Sequence, residues 1–363
     1  MALTEARGIV TGDGAISQEL IDRFREEFAA NPKHRLARNA VTRVSVDDVA
    51  LNYEIATSID HAFSHKLDDW TATSQKASGR CWMFAGLNTL RFYAKQAMNL
   101  KEFEFSQSYT FFWDKFERAN YFLEAMIENA AKDVDDRTVA YLLSMPISDG
   151  GQWNMFVSLI KKHGLVPKAF MPETESSSNS RRLNSVLNTI LRRAAHELRH
   201  LHANGATDEM LRTTKDEILA AIYRVLCIHL GTPPDSFVWE WRDNDKEFHR
   251  DEAMTPQEFA AKYVTIDLDD YICLVNDPRP SSPYGHTFTV EYLGNIVGGD
   301  RVTYLNADIE LVKEIALKTI LDGEPVWFGC DTGKMLRRDL GIWDKNLFDY
   351  EGVYDTEMSM SKA

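Results

Sequence analysis

A chain of 363 residues with 44% hydrophobic content and a formal charge of −14 can bury a large core, which sets aside miniproteins and disordered segments. That charge also argues against a generic nucleic-acid binder, whose affinity rests on clustered Lys and Arg. The four cysteines, Cys81, Cys227, Cys273 and Cys330, are widely spaced, form no C-x-x-C pair and give no disulfide framework, which fits a reducing compartment. The start of the chain shows no basic-then-apolar signal segment, and no apolar run approaches the roughly 20 residues of a membrane span. A soluble, cytoplasmic protein with no membrane partner is expected.

In chain order, residues 17–30 predict an amphipathic helix, with Leu20, Phe24 and Phe28 at four-residue spacing and Pro32 just beyond. This arm is expected to pack on the core. Ser78 and Gly79 form a turn into a helix that carries Trp82, Ala85, Leu90 and Phe92. A second helix is predicted over 106–131, striped by Tyr109, Phe112, Phe116, Leu123, Met126 and Ile127. Asp149-Gly150-Gly151 opens a third, with Trp153, Phe156, Val157 and Ile160 inward and Gly164 as its stop. The polar run E-T-E-S-S-S-N-S at 173–180 reads as a separator before two more helices, 181–203 and 207–229, which form a helical insertion. From Phe237 the period becomes two, through Trp239 and Trp241. Thr255-Pro256-Gln257-Glu258 is a capping box for a short helix. Strands are predicted at 271–275, 287–292, 302–305 and 325–330, with a helix over 308–321 that turns Ile309, Val312, Ile315, Ala316 and Ile320 inward. The fold class is therefore α+β, in four parts: an N-terminal arm (1–65), a helical lobe (66–178), the helical insertion (179–235) and a β-rich lobe (236–363).

The run Q-K-A-S-G-R-C-W-M-F at 75–84 carries the chemistry. Cys81 falls in the first turn of a helix, where unpaired N–H groups and the macrodipole favour a thiolate. Gln75 can set its amide beside the Cys81 N–H as an oxyanion hole. A lone cysteine beside tryptophan is more often core than catalyst. Gln six residues ahead, S-G before and an aromatic after make the combination specific, and it resembles the papain-type signature of cysteine peptidases.

Further runs sharpen that resemblance: S-G-R-C-W-M-F-A-G-L-N at 78–88, F-E-F-S-Q-S-Y-T-F-F-W-D-K at 103–115, D-G-G-Q-W at 149–153 and T-V-E-Y-L-G-N at 289–295. Together they are similar to the bleomycin hydrolase and aminopeptidase C family. The resemblance implies a papain-like fold and an intracellular cysteine aminopeptidase acting on peptides with a free N-terminus. It also implies a homohexameric ring with active sites on an internal channel. By the same resemblance Gly150 and Gly151 bind substrate backbone. Asp149 is a candidate to hold the substrate's free amine, with helix capping as its alternative role.

A papain-type thiolate needs an imidazole held by Asn or Asp. His286 heads the alternating run 286–292 and suits that role by pattern. The resemblance points elsewhere, to T-H-A-M and E-N-S-W-G runs that this sequence lacks, so the C-terminal part of the β lobe is expected to be missing and the chain alone inactive. A non-catalytic assembly subunit is the alternative, and a thiol acyltransferase a third reading. His61 and His65 lack a companion carboxylate motif, so no metal site is expected. No phosphate-binding glycine loop occurs, and no cofactor is expected. The basic cluster Arg181, Arg182, Arg192, Arg193 and Arg199 reads as a solvated helix face.

Overall fold

The computed structural model describes residues 14–67, 71–330, 333 and 335–358. Of the described residues, those within 1–64 and 330–363 form one compact unit, and those within 65–329 form the other. The expected arm thus shares a unit with residues that the sequence assigns to the β-rich lobe.

In the first unit Ser17 caps α1 (Gln18–Ala30) by accepting from the Leu20 N–H. Pro32 sits at the start of α2 (Pro32–Val41), a position where its missing N–H costs nothing. Helix α1 buries none of its residues. Phe24 and Phe28 stay exposed, and Phe28 stacks on His34. Short helices α3 (Val46–Ala50) and α4 (Tyr53–Ser58) follow. Ala50 joins Ile342, Leu347 and Phe348 in a small apolar cluster, closed by hydrogen bonds from Asn52 N to Leu347 O (2.8 Å) and from Asp349 N to Ala50 O (2.7 Å).

The second unit is built on α5 (Cys81–Met98), α6 (Gln107–Glu128), α7 (Arg137–Ser144) and α8 (Trp153–His163). Ser106 starts α6 by accepting from the Tyr109 N–H at 3.0 Å. The buried stripe includes Tyr109, Phe112, Leu123, Met126 and Ile127. After the short α9 (Glu175–Ser178) come α10 (Arg181–Ala203) and α11 (Asp208–Leu230). Leu183, Leu187, Leu191, Leu198, Ile222 and Leu226 enter the same core as α5 and α6. The predicted insertion is therefore continuous with the helical lobe.

Strands β1 (Glu240–Arg242) and β2 (Phe248–Arg250) pair antiparallel. The capping box forms as predicted and opens α12 (Pro256–Tyr263). A three-stranded sheet then orders β3 (Cys273–Val275), β5 (Tyr304–Asn306) and β4 (Thr287–Phe288), with β3 parallel and β4 antiparallel to β5. Strand β4 is shorter than the alternation suggests, and Tyr292, at φ +55°, turns the chain within the predicted span. Residues 325–330 form no strand; there the Trp327 indole N–H bonds the Trp82 carbonyl at 3.0 Å. Helix α13 (Ile309–Leu321) buries no residue, and Ile309 and Ile315 are exposed rather than inward.

Helix α8 ends at Gly164, whose N–H bonds the Ile160 carbonyl at φ +69°. A Cβ there would lie 2.2 Å from the Pro256 backbone. Gly164→Ala adds a left-handed penalty to a backbone clash and is expected to lower the unfolding free energy by about 3 kcal/mol or more; urea denaturation measures it.

Candidate active site

The loop ahead of α5 is built to present Cys81. Arg80 occupies the N-cap position without a side-chain cap bond, so the first-turn N–H groups have no side-chain acceptor. Cys81 is exposed, while its neighbours Arg80 and Trp82 are buried.

Two ion pairs lie under this loop. Arg80, fully buried, donates to both oxygens of Glu173 at 2.9 and 2.7 Å, and its guanidinium packs over the Phe84 and Phe111 rings. Its Nε donates to Ser78 Oγ at 2.9 Å, and Ser78 donates to the Gln75 carbonyl at 2.7 Å. Lys115, also fully buried, projects from α6 and donates to Asp149 Oδ1 at 2.6 Å. Asn184 donates to the same oxygen at 2.7 Å. The Gly79 N–H (3.0 Å) and the Ser180 hydroxyl donate to Oδ2. The Asp149 carbonyl accepts the Trp82 indole N–H at 2.5 Å. Burial alone would raise the Asp149 carboxyl. The Lys115 ammonium and the bonds from Lys115, Ser180 and Gly79 together outweigh it and hold the carboxyl well below the usual carboxylate range.

These contacts fix where the predicted site residues stand. Four internal donors fill the roughly four acceptor positions of the Asp149 carboxylate, which argues against a substrate-amine role. Nor does Asp149 cap α8: that helix begins at Trp153, with Gln152 at its N-cap. Asp149 instead grips the residues on either side of Arg80-Cys81. Gly79 must be glycine, because a Cβ would meet the Asp149 Cβ at 2.9 Å. A Cβ on Gly151 would press into the Trp82 ring at 2.6 Å, whereas Gly150 has open space on that side. The Gly150 carbonyl accepts from Arg118, itself held by Asp114 at 2.8 Å and stacked over Trp82. Gln75 is half-buried, and its side-chain oxygen accepts no hydrogen bond.

Among the described residues no imidazole is hydrogen-bonded to Cys81. His286 is exposed; His163 stacks on Trp113 and pairs with Glu117 at 2.7 Å; His229 bonds Ser176. No group of three or more potential metal ligands occurs among the described residues, and no described helix is long and apolar enough to cross a membrane. Arg192 and Arg199 of the basic cluster bond the carbonyls of Leu143, Ser144, Asn129 and Lys132. Lys115, Arg80, Glu173 and Ser180 escaped the sequence reading; a lysine among Phe111, Phe112 and Phe116 on an apolar face was the one visible signal.

The helical core with its smaller sheet, and the cysteine at the head of α5, define a papain-like cysteine peptidase fold. The chain belongs to the Peptidase C1-like family, whose profile matches residues 15–363. It is 44% identical over 348 residues to aminopeptidase C of Lactobacillus delbrueckii subsp. lactis, covering 96% of this chain and 78% of that relative. It is 41% identical over 355 residues to human bleomycin hydrolase, with the same coverage of 96% and 78%. The crystal structure of PepW from Lactobacillus rhamnosis HN001 matches with a TM-score of 0.94 at 44% identity, covering 96% of this chain and 78% of that one.

Cys81 is exposed at a helix start, whereas Cys227 and Cys273 are half-buried and burial pushes the Cys273 thiol up. Cys81 is expected to react first with iodoacetamide under native conditions, read by peptide mass spectrometry; faster labelling of Cys227, Cys273 or Cys330 counts against the site. Lys115→Met leaves Asp149 buried without its cation and is expected to cost about 3–5 kcal/mol. The depressed Asp149 carboxyl contributes stability that is full above the unfolded carboxyl range and is lost progressively as pH falls from there toward the depressed value of the folded state. Acid unfolding followed by circular dichroism is expected to show such a loss below about pH 4, reduced in Asp149→Asn.

Proposed function

We propose that this chain is a thiol aminopeptidase that removes N-terminal residues from peptides. The Cys81 sulfur attacks the scissile carbonyl carbon, a C–S bond forms, and the carbonyl oxygen takes up negative charge. The Cys81 N–H and the Gln75 amide donate to that oxygen. The C–N bond then breaks, the amine departs with the proton given up by the thiol, and water hydrolyses the thioester, restoring the thiol. Gly150 and Gly151 hold the substrate backbone, and Asp149 serves the loop rather than the substrate's amine. The observation that carries this reading is an exposed cysteine at a helix start, in a loop held by one buried and one part-buried ion pair. The names of the relatives, aminopeptidase C and bleomycin hydrolase, support the reaction class. The resemblance also brings a cytoplasmic setting and a homohexamer into the proposal.

A second reading is a non-catalytic assembly subunit of the same fold. It is favoured by the lack of an imidazole bonded to Cys81 among the described residues. Assay on aminoacyl-amide substrates under reducing conditions separates the two. In a form extended by T-H-A-M- and E-N-S-W-G-like runs, the peptidase reading expects turnover that Cys81→Ala abolishes and Gln75→Ala lowers by about 10²–10³ in kcat, the usual loss for one oxyanion donor. An intact kcat in Gln75→Ala removes Gln75 from the oxyanion hole. Turnover by the 363-residue chain that is lost in His286→Ala makes that residue the proton shuttle; no turnover by that chain agrees with both readings, and none in the extended form favours the assembly subunit.

A further inference from the structure

The polar segment 173–180 meets the Gln75–Arg80 loop along its length. Glu173 receives the Arg80 fork. The Ser178 carbonyl accepts the Ala77 N–H at 2.9 Å, and Ala77 bridges to Asn179 in parallel register. Ser180 donates to the Asp149 carboxylate that also receives the Gly79 N–H. A segment that looks like a separator in the sequence is a brace in the fold.

The brace acts on the two ends of the loop differently. Asp149 holds Gly79 and the Trp82 indole, the side from which α5 and Cys81 rise. Glu173 reaches the other end: its pairing orients the Arg80 plane, Arg80 Nε bonds Ser78 Oγ, and the single O–H of Ser78 is spent on the Gln75 carbonyl. Next in the chain, Lys76 takes φ +55°, a left-handed conformation that a non-glycine residue keeps only where its surroundings over-determine it. The buried Gln75 side-chain oxygen has no hydrogen bond of its own, so the direction of the amide is inherited from its backbone.

We infer that Glu173 is a positioning residue for the oxyanion donor: through Arg80 and Ser78 it fixes the backbone at Gln75 and so aims the Gln75 amide. This rests on Gln75 being that donor. Two reagents separate the effect from general damage. A peptide aldehyde with a free N-terminus adds Cys81 sulfur to its carbonyl carbon, and the oxygen that becomes negative and then takes the proton needs the donor. Iodoacetamide alkylates the same sulfur with loss of iodide and forms no oxyanion.

In the full chain, Glu173→Gln and Ser78→Ala are each expected to weaken aldehyde binding about tenfold while changing the rate of Cys81 alkylation less than about twofold. Ser78→Thr, which keeps the hydroxyl, is expected to restore binding. In a Gln75→Ala background, Glu173→Gln is expected to add less than about twofold, because the two residues act on one interaction. Equal loss in both reactions, or a full additive loss in the Gln75→Ala background, assigns Glu173 to general stability and overturns the inference. Unchanged aldehyde binding in both Glu173→Gln and Ser78→Ala overturns it while leaving Gln75 in place. If the parent chain takes no aldehyde at Cys81, or Gln75→Ala binds it as well as the parent, the reading of the site falls and this inference with it.

Discussion

The ion pair between Lys115 and Asp149 is the constraint on which the site depends. Both side chains are buried, so each charge needs the other, and neither can be removed without stranding its partner in a poorly solvating interior. From that one carboxylate the surrounding sequence follows. Gly79 must lack a side chain to approach it, Ser180 and Asn184 must be polar to complete its hydrogen bonds, and Trp82 must present its indole N–H to the carbonyl. The ring of Trp82 in turn excludes any side chain at Gly151. A buried pair of this kind adds little net stability over an apolar replacement, but it specifies one geometry sharply.

Helix α10 enters the site through the same carboxylate. Asn184 lies one turn into that helix and Ser180 just before it, so the segment expected to be an insertion provides two of the four donors to Asp149. Its leucines enter the same core as α5 and α6. Polar and apolar contacts therefore tie α10 to the loop ahead of Cys81 in one cooperative body, and a shift of α10 on α6 would be felt at Gly79.

Much of this was legible in the sequence, and for physical reasons. Helices α6, α8, α10 and α11 follow strong apolar periodicity, and the α12 capping box is a local signal complete within four residues. The placement of Cys81 at a helix start needed only the turn and the helix formers after it. Non-local features were not legible. Nothing in E-T-E-S-S-S-N-S says that its glutamate meets an arginine 93 positions earlier, and periodicity could not reveal that 325–330 is tied down by an indole instead of a strand partner. On α13 the apolar residues are spaced as a helix requires; of the five expected inward, Val312, Ala316 and Ile320 are half-buried while Ile309 and Ile315 are exposed, so the pattern named the element correctly and its inward face only in part.

The bare N-cap of α5 has a consequence for the balance between stability and reactivity. A serine, threonine or aspartate at position 80 could satisfy the first-turn N–H groups and strengthen the helix by about 1 kcal/mol. It would also place an oxygen, and with aspartate a negative charge, in front of the thiol where, on the proposed reading of Cys81 as nucleophile, substrate charge develops. Arg80 turns its side chain away into the core and leaves those donors uncapped. If Cys81 is the nucleophile proposed above, the start of α5 is a place where a more stable helix would make a poorer site, and a screen for thermal stability at position 80 would select against that chemistry.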